Sequence, residues 1–388
     1  FLAVPPPVVI SGSDDTTVRF WNLGSWKLLA TFSASSGNPN LAAVGGGSST
    51  LDWVVYTPKG HFDASGKGRD LVRFRRRDQA RLLDQFDESL YAFELSDQLR
   101  HGIAPGDPAE LEEPPPLAIE PNRRDASAPD AELAVSMGTD ELRDLRVYHN
   151  DVPIPTGLED GPKKLPERVR IPVRLVRGSN RFYAMASRAN AYDSRSSEVN
   201  LQYDGPRDPG RVHILALGVG DYSRRRLSYP ERDARRISEV LQRRGIDPEK
   251  RPGMRIVLTN ADVNQESVGR AFRDISKQVR KRPQDTVVVF LAGHTGVFDE
   301  QKFCLLLNSY PFPEDAPIMV AARDAENLMP GEKLKSEYIL PYSVIATNMM
   351  RLDALNRLVI VDACQAEAIY SDPEVNEIQK WMEIGSRR

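Results

Sequence analysis

The sequence predicts a multidomain chain. A doubly wound α/β domain on a mainly parallel sheet comes last, preceded by a small all-β sandwich and a short β-meander. Three observations carry this expectation. Two β-branched runs without alternation, Thr286-Val287-Val288-Val289-Phe290-Leu291 and Leu358-Val359-Ile360-Val361, read as strands buried on both faces of a parallel sheet. Two apolar stripes at helical spacing accompany them: Ala234, Ile237, Val240, Leu241 and Val268, Phe272, Ile275, Val279. Upstream, short strand-like runs alternate with turn residues.

From the start of the chain, Val8-Val9-Ile10 and Thr17-Val18-Arg19-Phe20-Trp21-Asn22 predict two strands around a polar turn. This segment resembles a WD-repeat propeller blade, with Trp21-Asn22 in place of Trp-Asp. Leu28-Leu29-Ala30-Thr31-Phe32 predicts the next strand, residues 33–50 a Gly/Ser loop, and residues 53–60 a last strand and turn. One blade alone is visible, so a partial propeller is expected over residues 1–66. Leu82, Phe86, Leu90 and Phe93 predict an amphipathic helix from Asp78 to about Leu99 within a connector spanning 67–103. Residues 104–122, dense in Pro and Glu, predict an extended linker. Strands at 131–137, 145–149, 168–175, 180–191 and 198–203 predict an immunoglobulin-like sandwich over 123–207, without the cysteines of antibody domains. His149 reads as a turn residue, not a ligand. Residues 208–388 form the α/β unit.

Composition narrows the function. Of 388 residues, 40% are hydrophobic and 7% aromatic, as expected for a globular protein with real cores. A net charge of −3 argues against a dedicated nucleic-acid binder. No apolar run approaches the roughly 18 residues of a membrane-spanning helix. The two cysteines, Cys304 and Cys364, cannot form a disulfide framework, so a reducing cytoplasm is the expected location. Gly218-Val219-Gly220 lacks the third glycine of a dinucleotide fingerprint, and no His/Cys cluster has zinc spacing. No cofactor is expected. Calcium is the one ion considered, at the acidic stretch 372–377, whose spacing matches no known loop.

The chemistry sits where the two buried runs end, one at His294 and the other at Cys364. Open α/β sheets bind ligands outside the carboxyl ends of their strands. Neighbouring strands would bring an imidazole and a thiol into one crevice, the minimum for nucleophilic catalysis by a thiolate. Backbone N–H groups at Thr295, Gly296 and Cys364 are the expected oxyanion donors. Cys304, inside Phe303-Cys304-Leu305-Leu306, is expected to be an inert core residue.

From residue 211 onward the chain resembles the large catalytic subunit of the caspase-like cysteine peptidases, the group of caspases and metacaspases. Val212-His213-Ile214-Leu215-Ala216-Leu217-Gly218-Val219-Gly220-Asp221-Tyr222 resembles the first strand and loop, and Tyr229-Pro230-Glu231-Arg232-Asp233-Ala234 the first helix. Ala292-Gly293-His294 and Asp362-Ala363-Cys364-Gln365-Ala366 resemble the histidine and cysteine motifs. The resemblance implies Cys364 as nucleophile and His294 as general base and acid. There are departures. Asp362 and Ala366 replace a Gln and a Gly, and Thr295 follows His294 where caspases usually carry glycine. His294 and Cys364 are 70 positions apart, against about 50 in caspases, so an insertion is expected within 310–341.

The resemblance also implies a specificity. Asp362 stands where caspases use Gln to receive an acidic side chain. A carboxylate there would repel acidic substrates and attract Arg or Lys. Asp233 falls where metacaspases carry a second pocket carboxylate, and metacaspases cleave after Arg or Lys. Expected partners are protein substrates, an upstream activating protease or sensor, and a small catalytic subunit of the same precursor. Only 24 residues follow Cys364, ending Ser386-Arg387-Arg388, so processing near that end is expected. Neither nucleic acid nor membrane is an expected partner. The modular order implies a prokaryotic-type signalling protease, made as a zymogen, in stress response or antiviral defence. The alternatives are an inert caspase-fold scaffold, which intact Cys364 and His294 argue against, and a separase- or legumain-type peptidase.

Overall fold

A computed structural model describes residues 8–35, 165–244, 251–298, 302–312 and 337–363, and 52–158 with short interruptions. The first unit is a five-stranded antiparallel meander of β1 (Val8–Gly12), β2 (Thr17–Asn22), β3 (Leu28–Ser35), β4 (Asp52–Tyr56) and β5 (Phe62–Ala64). Strand β5 is one more than the sequence suggested. A small hairpin, β6 (Phe74–Arg76) with β7 (Gln79–Arg81), and two short helices, α1 (Asp87–Leu90) and α2 (Leu95–Arg100), follow.

These helices correct the single amphipathic helix expected between Asp78 and Leu99. Leu83, Phe86 and Leu90 enter a core with Phe62 and Tyr192, whereas Leu95 and Leu99 enter another with Phe20, Ala30 and Val55. Asp84 and Asp87 are also buried, beside Arg195 and Arg69. Apolar and charged groups of this segment are buried on different sides and in two separate cores, which a single amphipathic helix with one apolar stripe does not do.

Eight strands form two antiparallel sheets that share a core. One sheet has the order β11 (Val152–Ile154), β10 (Arg143–His149), β13 (Gly178–Ser187), β14 (Ser194–Arg195), with β15 (Val199–Tyr203) also on β13. The other has the order β12 (Arg168–Arg174), β9 (Asp130–Met137), β8 (Leu117–Asn122). The Pro-rich linker drawn over 104–122 therefore ends early, because Leu117–Asn122 pairs with β9. Strand β12 alternates strictly: Val169, Ile171 and Val173 point inward, while Arg168 and Arg170 reach Glu120 and Glu132 outside. Its Pro172 is tolerated because β12 is an edge strand. His149 is no turn residue. It is buried on β10, with Nε2 at 2.7 Å from Asn180 Oδ1.

The last unit is a four-stranded, all-parallel sheet. Its order is β17 (Arg251–Thr259), β16 (Arg211–Gly218), β18 (Thr286–Ala292), β22 (Asn356–Asp362). Every residue of β18 is buried. Val287, Val289 and Leu291 face α4 (Gln265–Val279), and Val288, Phe290 and Ala292 face α3 (Pro230–Arg244). Helix α4 buries Val268, Phe272, Ile275 and Val279, and a reciprocal Asn264/Ser267 capping box starts it. Helix α3 buries Ala234 and half-buries Ile237 and Leu241. Val240 is 45% exposed, against expectation: six residues beyond Ala234 it has rotated well off the apolar face. After β18 comes an antiparallel sheet of β19 (Thr295–Phe298), β20 (Lys302–Leu306) and β21 (Ile339–Pro341), then α5 (Tyr342–Met350). Cys304 is buried on β20, as expected.

Two polar anchors hold the amino ends of these strands. Arg357 on β22 donates to the carbonyls of Ala354, Leu352 and, across the boundary with the sandwich, Pro153 at 2.8 Å. Burial pulls its guanidinium down to about 10, with Asp353 opposing. Asp285, fully buried before β18, accepts from Arg211 N at 2.9 Å, His213 Nε2 at 3.1 Å and Arg282 Nε at 3.0 Å. His213 Nδ1 accepts from Met254 N, so Nε2 carries its proton.

Burial raises the Asp285 carboxyl, but the bonds from His213, Arg282 and Arg211 outweigh it and hold it below 3.8. A carboxylate with a depressed folded pKa stabilises above its unfolded value and loses that contribution as pH falls through the folded one. Asp285→Asn is therefore expected to cost about 1–3 kcal/mol near neutrality, and less in acid. Urea midpoints of variant and parent at about pH 7 and about pH 3 check this. An equal loss at both would contradict the assignment.

Candidate active site

The parallel register sets the site. Along the carboxyl edge of the sheet, Thr259, Gly218, Ala292 and Asp362 stand side by side. The strand leading to His294 and the strand leading to Cys364 are thus neighbours that end level, each two residues before the residue in question. Cys364, with Gln365 and Ala366, lies outside the described residues, as does the acidic stretch 372–377. Of the expected insertion, residues 310–312 and 337–341 are described and 313–336 are not.

Small residues let the backbone close up here. A Cβ on Gly218 would lie 2.3 Å from Pro230 O, so only glycine lets the first turn of α3 sit on this strand end. A Cβ on Gly293, whose φ is +154°, would lie 3.0 Å from both the Tyr222 hydroxyl and Val219 O. The loop between β16 and α3 is tied down at several points. Val219 N donates to Ala292 O at 2.9 Å. Gly220 N and Asp221 N both donate to Asn260 Oδ1, at 2.9 and 3.0 Å, and Asn260 Nδ2 donates to Glu231.

That loop delivers two groups to His294. Its Nε2 lies 2.8 Å from the carbonyl oxygen of Arg225. A carbonyl only accepts, so Nε2 carries the proton and Nδ1 keeps the lone pair. Its backbone N donates to the hydroxyl of Tyr222 at 3.0 Å. The imidazole packs 4.9 Å from the Tyr222 ring and 5.3 Å from Phe312. Burial pulls its pKa below 6.5; the bond to the Arg225 carbonyl opposes this, and the Arg225 charge adds to it. The result is an oriented neutral imidazole with Nδ1 as the available base.

The other expected site residues fall as follows. Asp362 is exposed at the end of β22, and among the described residues it has no hydrogen-bond or ion-pair partner. Asp233 lies half-buried in the first turn of α3, and its carboxylate is likewise unpaired among the described residues. Thr295 opens β19 opposite Leu305. Gly296 does not suit the oxyanion role. Leu306 N bonds His294 O, and antiparallel alternation makes Gly296 and Cys304 the next hydrogen-bonded pair. The Gly296 N–H therefore points into the ladder, away from the crevice. Sequence reasoning missed Tyr222, Arg225, Asn260 and Phe312. Tyr222 was visible as part of the first-loop resemblance, but a backbone carbonyl such as that of Arg225 leaves no trace in residue type.

The model of the caspase domain family matches residues 211–383, the same unit that carries this sheet and His294. That match supports a caspase-like cysteine peptidase in general. No curated protein matches the chain. Among solved structures, pectate lyase PelI from Erwinia chrysanthemi aligns at 10% identity over 48% of this chain and 47% of that one, with a TM-score of 0.14. A family 28 exopolygalacturonase from Yersinia enterocolitica aligns at 9% identity over 64% and 55%, with a TM-score of 0.17. The alignments thus span about half the length of these two proteins, and at such scores neither bears on fold or function. No described helix is long and apolar enough to cross a membrane.

Proposed function

We propose that the chain is a caspase-like cysteine endopeptidase that cuts protein substrates after Arg or Lys. The supporting observation is the register of Ala292 opposite Asp362, which makes the strands leading to His294 and Cys364 adjacent and level. In this reading His294 Nδ1 takes the proton of the Cys364 thiol. The thiolate attacks the scissile carbonyl, and N–H groups of Cys364 and Thr295 receive the oxyanion. The imidazolium then protonates the leaving amine, an acyl-enzyme forms, and water activated by Nδ1 hydrolyses it.

Asp362, exposed at the end of β22 and unpaired among the described residues, receives the basic side chain, with Asp233 as second carboxylate. The N-terminal meander acts as a WD-type blade for docking or sensing, and the two-sheet unit as an immunoglobulin-like spacer. The protein is a prokaryotic-type cytoplasmic zymogen in stress or antiviral signalling, completed by a small subunit of the same precursor after an upstream protease or sensor activates it. No cofactor is assigned.

The test is cleavage of fluorogenic peptides carrying Arg, Lys or Asp before the scissile bond, by the protein with its small subunit restored, beside Cys364→Ala. Cleavage after Arg and Lys, lost in Cys364→Ala, is expected. Asp362→Asn is expected to cut the Arg preference by about 10- to 100-fold, the order of one charge-assisted pair. Absence of cysteine-dependent cleavage would sink the peptidase reading, whereas cleavage after Asp would overturn only the role of Asp362.

A further inference from the structure

We propose that Tyr222 is a positioning residue for His294, its hydroxyl wedged into the base of the hairpin that carries the imidazole. This rests on the peptidase reading and deepens it. Facing residues of a hydrogen-bonded antiparallel pair normally exchange two direct bonds. His294 and Leu306 face each other in the register of β19 and β20, yet only one direct bond joins them, Leu306 N to His294 O at 2.9 Å. The return bond runs through Tyr222. His294 N donates to the Tyr222 hydroxyl at 3.0 Å, and that hydroxyl donates to Leu306 O at 3.0 Å.

A relay of two bonds holds the strands farther apart than one bond would. The sequence accommodates it: at Gly293 any Cβ would press on the same hydroxyl at 3.0 Å. Tyr222 itself is 3% exposed, so its hydroxyl has little access to water as an alternative partner. Its ring and that of Phe312, 5.4 Å apart, flank the imidazole, while the Arg225 carbonyl holds Nε2. The wedge therefore fixes the backbone from which the imidazole hangs, and the two rings fix its plane.

Without the hydroxyl, either the hairpin closes onto a direct bond and carries His294 along, or a buried N–H and carbonyl lose their partners. A displacement of about 1 Å at a catalytic group can cost about 100-fold in rate. Tyr222→Phe is expected to lower kcat by about 10- to 100-fold with KM within about twofold of the parent. Amide exchange at His294 should accelerate by at least about tenfold. Tyr192→Phe, which removes a buried hydroxyl bonded to Glu113 outside this unit, should leave kcat unchanged and so controls for general destabilisation.

The measurements are steady-state kinetics on an Arg peptide and site-resolved amide exchange, both on the full chain with its small subunit restored. A folded Tyr222→Phe protein with parental kcat overturns the proposal, and so does one in which only KM rises. Unprotected exchange at His294 in the parent overturns it without any variant. If the parent shows no cysteine-dependent cleavage, the peptidase reading falls and the wedge is judged by exchange alone. Faster exchange in Tyr222→Phe then upholds the wedge, and unchanged exchange overturns it.

Discussion

Replacing His294 with glutamine is expected to lower kcat by roughly 10²–10⁴-fold, the usual contribution of a positioned general acid–base. In the proposed mechanism the imidazole works in the transition state and does not hold the substrate, so kcat and kcat/KM should fall together while KM stays nearly constant. Glutamine keeps an N–H that can donate to the Arg225 carbonyl, so the loop should stay in place and the loss should report proton transfer. The same geometry fixes a pH dependence. Burial favours the neutral ring, so the base form should persist below 6.5 and the acid limb attributable to His294 should lie below that value. Steady-state kinetics across the acid range on a peptide with Arg before the scissile bond measures both. A variant within about tenfold of the parent would remove His294 from the mechanism.

The strands that lead to the candidate site were legible for a physical reason. A strand buried on both faces cannot alternate, so the runs leading to His294 and Asp362 announced their place in a parallel sheet. Strand ends at a carboxyl edge then pointed to the crevice. The supports of His294 were hidden by distance along the chain. Tyr222 and Arg225 stand 72 and 69 positions before it, and one of them acts through its backbone. Strand β8 was masked by Pro114-Pro115-Pro116 immediately before it, which made the whole stretch read as linker. The direction of the Gly296 N–H was not legible because residue type cannot say which way an N–H points; the antiparallel ladder of β19 and β20 decides that.

The connector misread as one helix leads to the second large prediction. Asp193→Ala is expected to destabilise the sandwich by about 3–5 kcal/mol, lowering its thermal midpoint on the order of 10 °C. Asp193 is 2% exposed, and its Oδ2 lies 2.5 Å from Arg146 Nη2, itself buried on β10. Its backbone exchanges two bonds with Gln85, at 2.8 and 3.0 Å, so the same residue ties the connector to the sandwich. Beside it, the Arg195 guanidinium lies 3.7 Å from the centre of the Tyr183 ring, which stacks on Tyr148 at 4.7 Å. Alanine would take the Asp193 carboxylate from the buried Arg146 cation, and the cost is that of removing counter-charge from a buried ion, not merely of a lost contact. Two comparisons separate these causes. Glu120→Ala, which breaks the exposed pair with Arg168, should cost less than about 1 kcal/mol. Arg146→Met combined with Asp193→Leu removes both charges and should recover most of the loss. Thermal and urea unfolding of the three proteins measure it. If the double variant is as unstable as Asp193→Ala, the pair is not the source of the loss, and the folding of the connector has to be explained by its other contacts.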